Sequence, residues 1–483
     1  MGHAAVIGWR NARLHAVVVM MGCLLPASGQ TAGRRPAAND VPAADVNDFA
    51  SLVRHGQWTE QWMDDKGRTE ARQVEGEIWN EAIQAALAQG GAVHLPGRTA
   101  PYYLDSPVIL KSGQRLLADP AAEIRLKPNT NTCMVRNEHL VGFADAPVPD
   151  SLRADEDIEI TGGIWTSLGN GVKGANGNVH GLSARSDPVP GTHGVILLQN
   201  VRRVTVSHVT IRRSQAFAVH LGNVREFLVD GVTLENHGRD GVHVNGPASI
   251  GLIRNVSGNS HDDPVSICAW DWQNCAPSFG PVHDLTIEHV RGAPLEQNAT
   301  DAIRLLPGVK RFASGVTLDC PIHDVVMRDI TDIREFKFYD QPNLELGRDR
   351  DSSAATGRLG RIQLQRLTFT RPGVIKVAAN VDGLGISDVS FAFDPGPVFK
   401  LVEIGPMSAT FRSKPADPSS WVEIFSPDRD VKVSGFSLEG VRVQGRPACS
   451  AASLFVSVKD QHPNPDYPKT TPRGGIGRAF LVP

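Results

Sequence analysis

The chain contains one short stretch in five copies: Gly194-Val195-Ile196-Leu197, Ala218-Val219-His220-Leu221, Gly241-Val242-His243-Val244, Pro264-Val265-Ser266-Ile267 and Ala302-Ile303-Arg304-Leu305. The first four copies begin 24, 23 and 23 residues apart, and the fifth begins 38 residues after the fourth. In every copy the second and fourth positions are aliphatic, whereas the third is polar in all but the first. This alternation is typical of a β-strand with one buried face. A period in this range predicts a solenoid, whose coils bury their apolar faces by stacking.

Acidic residues come just before several of these strands, at Asp240, Asp263 and Asp301, with Asp262 beside Asp263. Neighbouring parallel strands lie about 4.8 Å apart, so these carboxylates should be close and should raise the pKa of at least one of them. Glycoside hydrolysis uses a carboxylic acid that protonates the leaving oxygen and a carboxylate that acts as base or nucleophile. The alternative is a ladder of turn-capping Asp residues. We favour the catalytic hypothesis for Asp240, Asp262 and Asp263 because they lie in register.

The composition argues against several other classes. The net charge is −3, and positive and negative residues are interspersed. The sequence therefore indicates neither a basic nucleic-acid-binding surface nor a polyanionic tail. The 47 Gly and 33 Pro make the chain turn-rich, as a fold of many short strands requires.

The N-terminus reads as an export signal over residues 1–29, followed by a flexible lead-in over 30–45. Arg10 and Arg13 precede an apolar run at 16–25 that is too short to span a bilayer. No other stretch could span a membrane. We therefore expect a secreted or periplasmic protein.

Five cysteines follow the predicted signal peptide: Cys133, Cys268, Cys275, Cys320 and Cys449. Cys268 and Cys275 are close enough in sequence to form a disulfide bond across one loop. The alternative is that all five cysteines are small buried side chains. Their spacing does not resemble a zinc site, and we expect no metal and no cofactor.

The rest of the chain fits one long domain, a β-helix with an N-terminal cap over residues 46–445, followed by a C-terminal tail or cap over 446–483. Residues 75–89 read as a helix that ends at Gly90-Gly91. A second column of strands runs in step with the first, so each coil has at least two strands. It includes Val204-Thr205-Val206, Phe227-Leu228-Val229, Leu285-Thr286-Ile287 and Val325-Val326-Met327.

Three segments of the N-terminal part resemble the opening of the pectate-lyase-like superfamily, which includes the polygalacturonases. They are Ala82-Ile83-Gln84-Ala85-Ala86-Leu87, Gly90-Gly91-Ala92-Val93-His94-Leu95-Pro96 and Leu110-Lys111-Ser112-Gly113. The resemblance implies an all-β fold, a right-handed parallel β-helix (a solenoid) with an N-terminal capping helix.

The acidic segments resemble those of polygalacturonases of glycoside hydrolase family 28. Residues 238–244 are similar to the family's Asn-Thr-Asp-Gly segment, and His261-Asp262-Asp263-Pro264 to its Asp-Asp segment. The resemblance implies that Asp262 is the general acid, while Asp240 and Asp263 activate water in an inverting displacement.

The next strand is similar to the family's Arg-Ile-Lys segment, which implies that Arg304 holds a substrate carboxylate. The chain departs from the family pattern in three ways: the first motif lacks Asn-Thr, Leu306 replaces the Lys, and the Gly-His-Gly coil has no counterpart. We therefore expect a divergent relative that acts on a different sugar.

Other side chains near these strands are candidates for substrate binding. His220 and His243 take the outward third position on successive coils, and Asp301 precedes the next strand. Trp270 and Trp272 lie in the turn between Cys268 and Cys275, where an indole could stack on a sugar ring or pack under the loop.

These observations predict a secreted glycoside hydrolase with a polysaccharide or oligosaccharide substrate. One alternative is a polysaccharide lyase or uronate epimerase, with His243, Arg304 or a Lys as base and Ca²⁺ held by the Asp cluster. Another is a carbohydrate-binding β-helix without catalysis. The sequence predicts no oligomeric state.

Overall fold

The computed structural model describes residues 42–63, 68–130, 132–140, 146–167, 194–271, 276–294, 301–339, 357–396, 399–405, 410–412, 421–423, 431–448, 456–458 and 479–482. The predicted signal peptide, Trp272, Cys275 and Cys449 lie outside these residues. A 3-10 helix spans Val46–Leu52 and an α-helix, α1, spans Asn80–Gly90. The strands are β1 (Ala44–Asp45), β2 (Arg54–Met63), β3 (Thr69–Ile78), β4 (Ala92–Leu95), β5 (Tyr102–Leu104), β6 (Val108–Leu110), β7 (Arg115–Ala118), β8 (Glu123–Leu126), β9 (Val135–Asn137), β10 (Asp155–Thr161), β11 (Ile164–Thr166), β12 (Ile196–Arg212), β13 (Val219–His237), β14 (Val242–Ser260), β15 (Val265–Cys268), β16 (Val282–Val290), β17 (Ala302–Leu306), β18 (Gly308–Arg311), β19 (Thr317–Cys320), β20 (Ile322–Thr331), β21 (Glu335–Tyr339), β22 (Arg358–Phe369), β23 (Val374–Ala378), β24 (Asn380–Phe391), β25 (Val402–Ile404), β26 (Thr410–Arg412), β27 (Trp421–Glu423), β28 (Val431–Glu439), β29 (Arg442–Val443), β30 (Arg446–Pro447), β31 (Val456–Val458) and β32 (Ala479–Val482).

The strands stack in parallel to form a right-handed parallel β-helix, as the sequence predicts. Three columns of paired strands run along the stack. The first contains β6, β9, β15, β17, β21, β23, β25 and β31, the second β4, β7, β10, β16, β20, β22, β24, β28 and β32, and the third β5, β8 and β11. The long strands β12, β13 and β14 pass through all three columns.

Each coil bends where one residue takes a left-handed backbone conformation. At one corner the φ angles lie between 50° and 83° in nine coils that follow one another in register. The residues at this corner are Asp157, Arg203, Glu226, Ile250, Asp284, Asp324, Arg361, Gly383 and Gly435. Asp, Asn and Gly are favoured in this conformation because short polar or absent side chains tolerate it. Because this corner lies inside the second-column strands, it bends each strand without a loop.

The interior of the stack is apolar. Val219, Leu221 and Ile267 are fully buried in one continuous cluster of aliphatic and aromatic side chains. The repeated aliphatic positions therefore face inward, and the polar third position is left to the outer face of the first column. The first copy of the repeat is offset by one residue, since Leu197 pairs with His220.

The N-terminal region differs from the prediction at two points. Residues 75–78 belong to β3, which pairs antiparallel with β2, and α1 begins only at Asn80. The helix ends as predicted, because Gly91 takes a φ of 69° and its N–H bonds to the carbonyl of Leu87 at 3.0 Å. The role of α1 as a cap stays a prediction.

The predicted domain limits also change. Ala44–Asp45 pairs with Val93 and His94, so the lead-in is ordered before residue 45. At the other end, β31 and β32 pair with β25 and β28 and extend the same columns past residue 445. Within the described part of the chain, no helix is long and apolar enough to cross a membrane.

Candidate active site

The outward position of the first column forms a ladder of polar side chains. His220 pairs with His243, His243 with Ser266, Ser266 with Arg304, and Arg304 with Lys337. Strand pairing thus brings side chains from residues 220 to 337 into one narrow row on the outer side of the first column, where His220, His243 and Ser266 are buried.

Asp240, Asp262 and Asp263 meet at the entrance to this ladder. One oxygen of each carboxyl lies within 4.8 Å of the others. Asp240 and Asp263 are 1% and 0% exposed, and the Asp263 N–H donates to Asp240 Oδ1 at 3.2 Å. Gly241 permits this approach, since a Cβ there would lie 2.4 Å from the carbonyl oxygen of Pro264. The structure therefore brings the three predicted carboxylates together.

Asp262 is the most accessible of the three, with 23% of its side chain exposed. Its Oδ2 lies 3.2 Å from Arg239 Nη1, and its N–H donates to Ser260 Oγ. Withdrawal from solvent, together with the charges of Asp240 and Asp263, raises the pKa of Asp262 to about 7. Asp262 is therefore protonated over much of the range near neutrality, where it can donate a proton.

Arg304 holds the carboxylates together from the next coil. Its Nη2 lies 3.8 Å from Asp240 Oδ1 and 3.5 Å from Asp262 Oδ1, and it forms an ion pair with Asp263 Oδ2. Lys337 adds a second cation, with Nζ 3.0 Å from Asp263 Oδ1. Only 7% of Arg304 is exposed. Its guanidinium is therefore engaged with protein carboxylates, rather than open to a substrate carboxylate as the resemblance implies.

His243 links Asp240 to a residue that the sequence did not single out. Its Nδ1 lies 2.7 Å from Asp240 Oδ2, and its Nε2 lies 2.9 Å from Asp271 Oδ2. The ring stacks on Phe217 with centroids 3.9 Å apart. Burial opposes its positive charge, but contact with the Cys268 sulfur and hydrogen bonds to both carboxyls raise the pKa of His243 well above its usual value.

The charge of Asp240 is set by its cationic neighbours. Burial alone would raise its pKa, but Arg304 and His243 hold the pKa of Asp240 well below its usual range. The site thus contains one carboxyl that keeps its proton, Asp262, beside one that stays ionised, Asp240. Such a difference between neighbouring carboxyls is a property of acid–base sites.

The other predicted binding residues lie in the interior. His220 is fully buried, with Nε2 2.7 Å from Asn245 Oδ1. Asp301 is also buried and binds Arg371 at 2.8 Å and the Ala293 N–H at 3.1 Å, which fits a structural ion pair and not a substrate contact. Trp270 is 3% exposed and belongs to the apolar core, so the packing alternative applies to it.

Sequence reasoning did not include Asp271, Arg239 or Tyr339 among the site residues. Burial raises the pKa of Tyr339, and Arg304, Asp263 and Asp262 all act on it. Asp271 lies 28 residues from His243 in the sequence, and only the stacking of coils reveals their contact. Arg239 had one available signal, because it is part of the motif that contains Asp240.

No family model matches the chain, and no curated protein matches it in sequence. Several solved structures are similar in fold. The Streptococcus pneumoniae surface protein and adhesin PfbA aligns with a TM-score of 0.40 and 13% identity, covering 91% of this chain and all of that one.

A polygalacturonase from Erwinia carotovora ssp. carotovora aligns with a TM-score of 0.42 and 16% identity, covering 78% of this chain and 92% of that one. The catalytic domain of a family 87 α-1,3-glucanase in complex with nigerose aligns with a TM-score of 0.42 and 10% identity, covering 79% of this chain and 66% of that one. All three are right-handed β-helix proteins, the fold that the sequence predicts and that the parallel coils of this chain form.

Proposed function

We propose that the protein is a glycoside hydrolase in which Asp262 donates a proton to the leaving oxygen. The observation that carries this proposal is the contrast between Asp262, partly exposed and with a raised pKa, and the two buried carboxyls beside it. A positioned acid whose pKa lies near the operating pH transfers protons most efficiently. A partly exposed acid beside an ionised carboxylate is what cleavage of a glycosidic bond needs.

Asp240 and Asp263 serve as the basic side of the site. Their charges favour a developing oxocarbenium ion and can accept a proton from water. Inverting attack by water is what the resemblance to family 28 implies for these two carboxyls. Their oxygens lie within 4.8 Å of that of Asp262, which is closer than the roughly 6.5–9.5 Å of most inverting enzymes.

The lyase alternative receives less support. A lyase needs a base that can abstract a proton from carbon. Both ring nitrogens of His243 already contact carboxylates, and Arg304 is paired with three of them. The Ca²⁺ assigned to the Asp cluster under that alternative would compete with the guanidinium of Arg304.

The test is a screen of the purified protein against plant, algal and bacterial glycans, with reducing ends and ultraviolet absorbance read together. A hydrolase gains reducing ends without absorbance, whereas a lyase gives an unsaturated, absorbing product. On the substrate found, Asp262→Asn should lower kcat by about 10²–10⁴-fold. Asp284→Asn is the matched control, because it makes the same change at an exposed corner where Asn is tolerated.

Two results would contradict the proposal. Full activity of Asp262→Asn would remove the acid from the mechanism. Retention of a glycan by the wild type without turnover on any substrate would support the carbohydrate-binding alternative. NMR of the first product tests inversion separately, since a retained anomeric configuration would require Asp240 or Asp263 to reach the sugar.

A further inference from the structure

Beneath the carboxylate cluster, three buried side chains of different chemistry converge on one point. His243 lies on β14, while Cys268 and Asp271 lie at the end of β15 and in the turn after it, one coil further along. One donor atom of each lies within 4.8 Å of the others. Cys268 is fully buried, and His243 and Asp271 are each 1% exposed. The convergence involves a sulfur, an imidazole nitrogen and a carboxylate oxygen.

The orientation of His243 suits metal binding. Asp240 Oδ2 lies 2.7 Å from Nδ1 and accepts its hydrogen bond, while Nε2 is directed at Asp271, 2.9 Å away. A ligating histidine almost always donates its other ring N–H to such a partner. A hydrogen bond from Nε2 to Asp271 does not by itself explain why the thiol of Cys268 lies at the same point.

We propose that His243 Nε2, Cys268 Sγ and Asp271 Oδ2 form a buried site for a divalent transition-metal ion of the zinc type. Imidazole and thiolate select zinc and similar ions, whereas Ca²⁺ and Mg²⁺ require oxygen ligands. Two donors on one tetrahedral zinc are about 3.3–3.8 Å apart, given bonds of about 2.0–2.3 Å. The donors lie within 4.8 Å of one another, so this geometry requires a slight opening between His243 and Asp271 and a closing of any wider pair by no more than about 1.5 Å.

The charges balance when the ion enters. The metal-free site has a proton shared at Nε2 of His243 and a proton on the Cys268 thiol. Binding releases both to solvent while the ion forms bonds to nitrogen, sulfur and oxygen, so two positive charges leave as two enter. The buried region therefore keeps its net charge, and the proposed site adds no uncompensated charge to the interior.

The neighbouring group of Asp240, Asp262 and Asp263 is a poorer candidate. Its oxygens also lie within 4.8 Å, but Arg304 and Lys337 already supply positive charge there. This difference assigns the metal to the sulfur-containing cluster. The proposal does not depend on the glycosidase activity, because its test reads the metal directly.

The experiment titrates Co²⁺ into the full-length protein after dialysis against a chelator. We expect one Co²⁺ per chain, with the near-ultraviolet charge-transfer absorption of a cobalt–thiolate bond, and displacement by Zn²⁺. Cys268→Ser should abolish that absorption. Asp240→Asn, which replaces the carboxylate at Nδ1 by a neutral amide, should weaken Zn²⁺ binding by about 10- to 100-fold.

Cys320→Ser is the matched control, since Cys320 is also a fully buried free thiol but lies outside the cluster. It should keep both the absorption and the affinity. Absence of thiolate–cobalt absorption in the wild type, which requires no variant to fold, would overturn the proposal. Absorption that persists in Cys268→Ser, or that disappears in Cys320→Ser, would also overturn it.

Discussion

Asp262 differs from Asp240 and Asp263 in its surroundings and not in its chemical type. Buried Asp240 and Asp263 are each paired with at least one cation that has little access to solvent. Asp262 lies 3.5 Å from the same Arg304, farther than Asp263 but nearer than Asp240, and it is closer still to Arg239, at 3.2 Å. Withdrawal from solvent, followed by the two buried negative charges, is therefore the reason that the pKa of Asp262 is raised and that it retains its proton.

This arrangement predicts the pH dependence of the proposed activity. A general acid must be protonated, so kcat/KM should be high below pH 7 and fall about tenfold per unit above the Asp262 pKa of about 7. Arg239→Gln removes a nearby positive charge, so the pH at which kcat/KM begins to fall should rise by about 1 unit. Arg225→Gln, on an exposed corner, is the control and should leave that pH unchanged. A downward shift in Arg239→Gln would contradict the assignment.

The same raised pKa predicts a cost in stability. The folded protein binds a proton at Asp262 more tightly than the unfolded chain, whose Asp has a pKa of 3.8. This contribution is fully present below pH 3.8 and is lost as the pH rises through about 7. Asp262→Asn cannot ionise, so its free energy of unfolding should exceed that of the wild type by about 1–3 kcal/mol at pH 8.5.

Urea unfolding at several pH values measures this difference. The excess stability of Asp262→Asn should grow between pH 4 and 7 and then stay constant. A difference that is the same at every pH would indicate a packing effect in place of a titration.

At the scale of the element, the left-handed corner is the device that lets a strand turn. Ile250 is the one β-branched residue in this corner ladder, with a φ of 57° and 46% exposure. A β-branched side chain is strained in this conformation, and burial of its apolar surface offsets little of the strain. The coils on either side place Glu226 and Asp284 there.

Ile250→Asn should therefore raise the free energy of unfolding by about 1 kcal/mol. Ile250→Val keeps the β-branch and should change it by less than about 0.5 kcal/mol. Thermal or urea unfolding compares the two variants. A loss of stability in Ile250→Asn would show that the isoleucine side chain makes a contact worth more than the backbone strain.

The repeated strands could be predicted from sequence because their inward positions obey a fixed period. The third column was not recognised as a column, although its strands β5, β8 and β11 follow turn signals at Pro96-Gly97, Pro120 and Gly162-Gly163. Residues 75–78 have helix-like spacing, but pairing with β2 outweighs that local preference. Tertiary pairing commonly overrides such preferences.

The site was predictable in part for the same reason. Asp240, Asp262 and Asp263 follow the strand register, so their proximity could be derived. Asp271 lies in a turn that has no period, and Asp301 lies on the register but its side chain turns inward to Arg371. A period fixes where a backbone lies, whereas a turn side chain is placed by contacts across coils.

At the scale of the whole molecule, each coil contacts mainly the coils beside it, so stability is roughly a sum of neighbouring interfaces. The N-terminal hairpin β2–β3 is held at its end of the stack by Glu60, which is fully buried. Glu60 accepts hydrogen bonds from Arg125 at 2.9 Å and from Tyr103 at 2.9 Å, and pairs with Arg72.

Glu60→Gln should destabilise this end by about 3–5 kcal/mol, because it leaves the buried Arg125 without its full counter-charge. Since coupling is between neighbours, the loss should stay local. Hydrogen exchange should quicken in β2, β3 and β5 and stay unchanged in β14 and β15, and the proposed activity should persist. Glu75→Gln, exposed on the same hairpin, should alter none of these. If exchange quickens equally along the chain, the stack unfolds as one cooperative unit, and distant substitutions would then act on the candidate site through global stability.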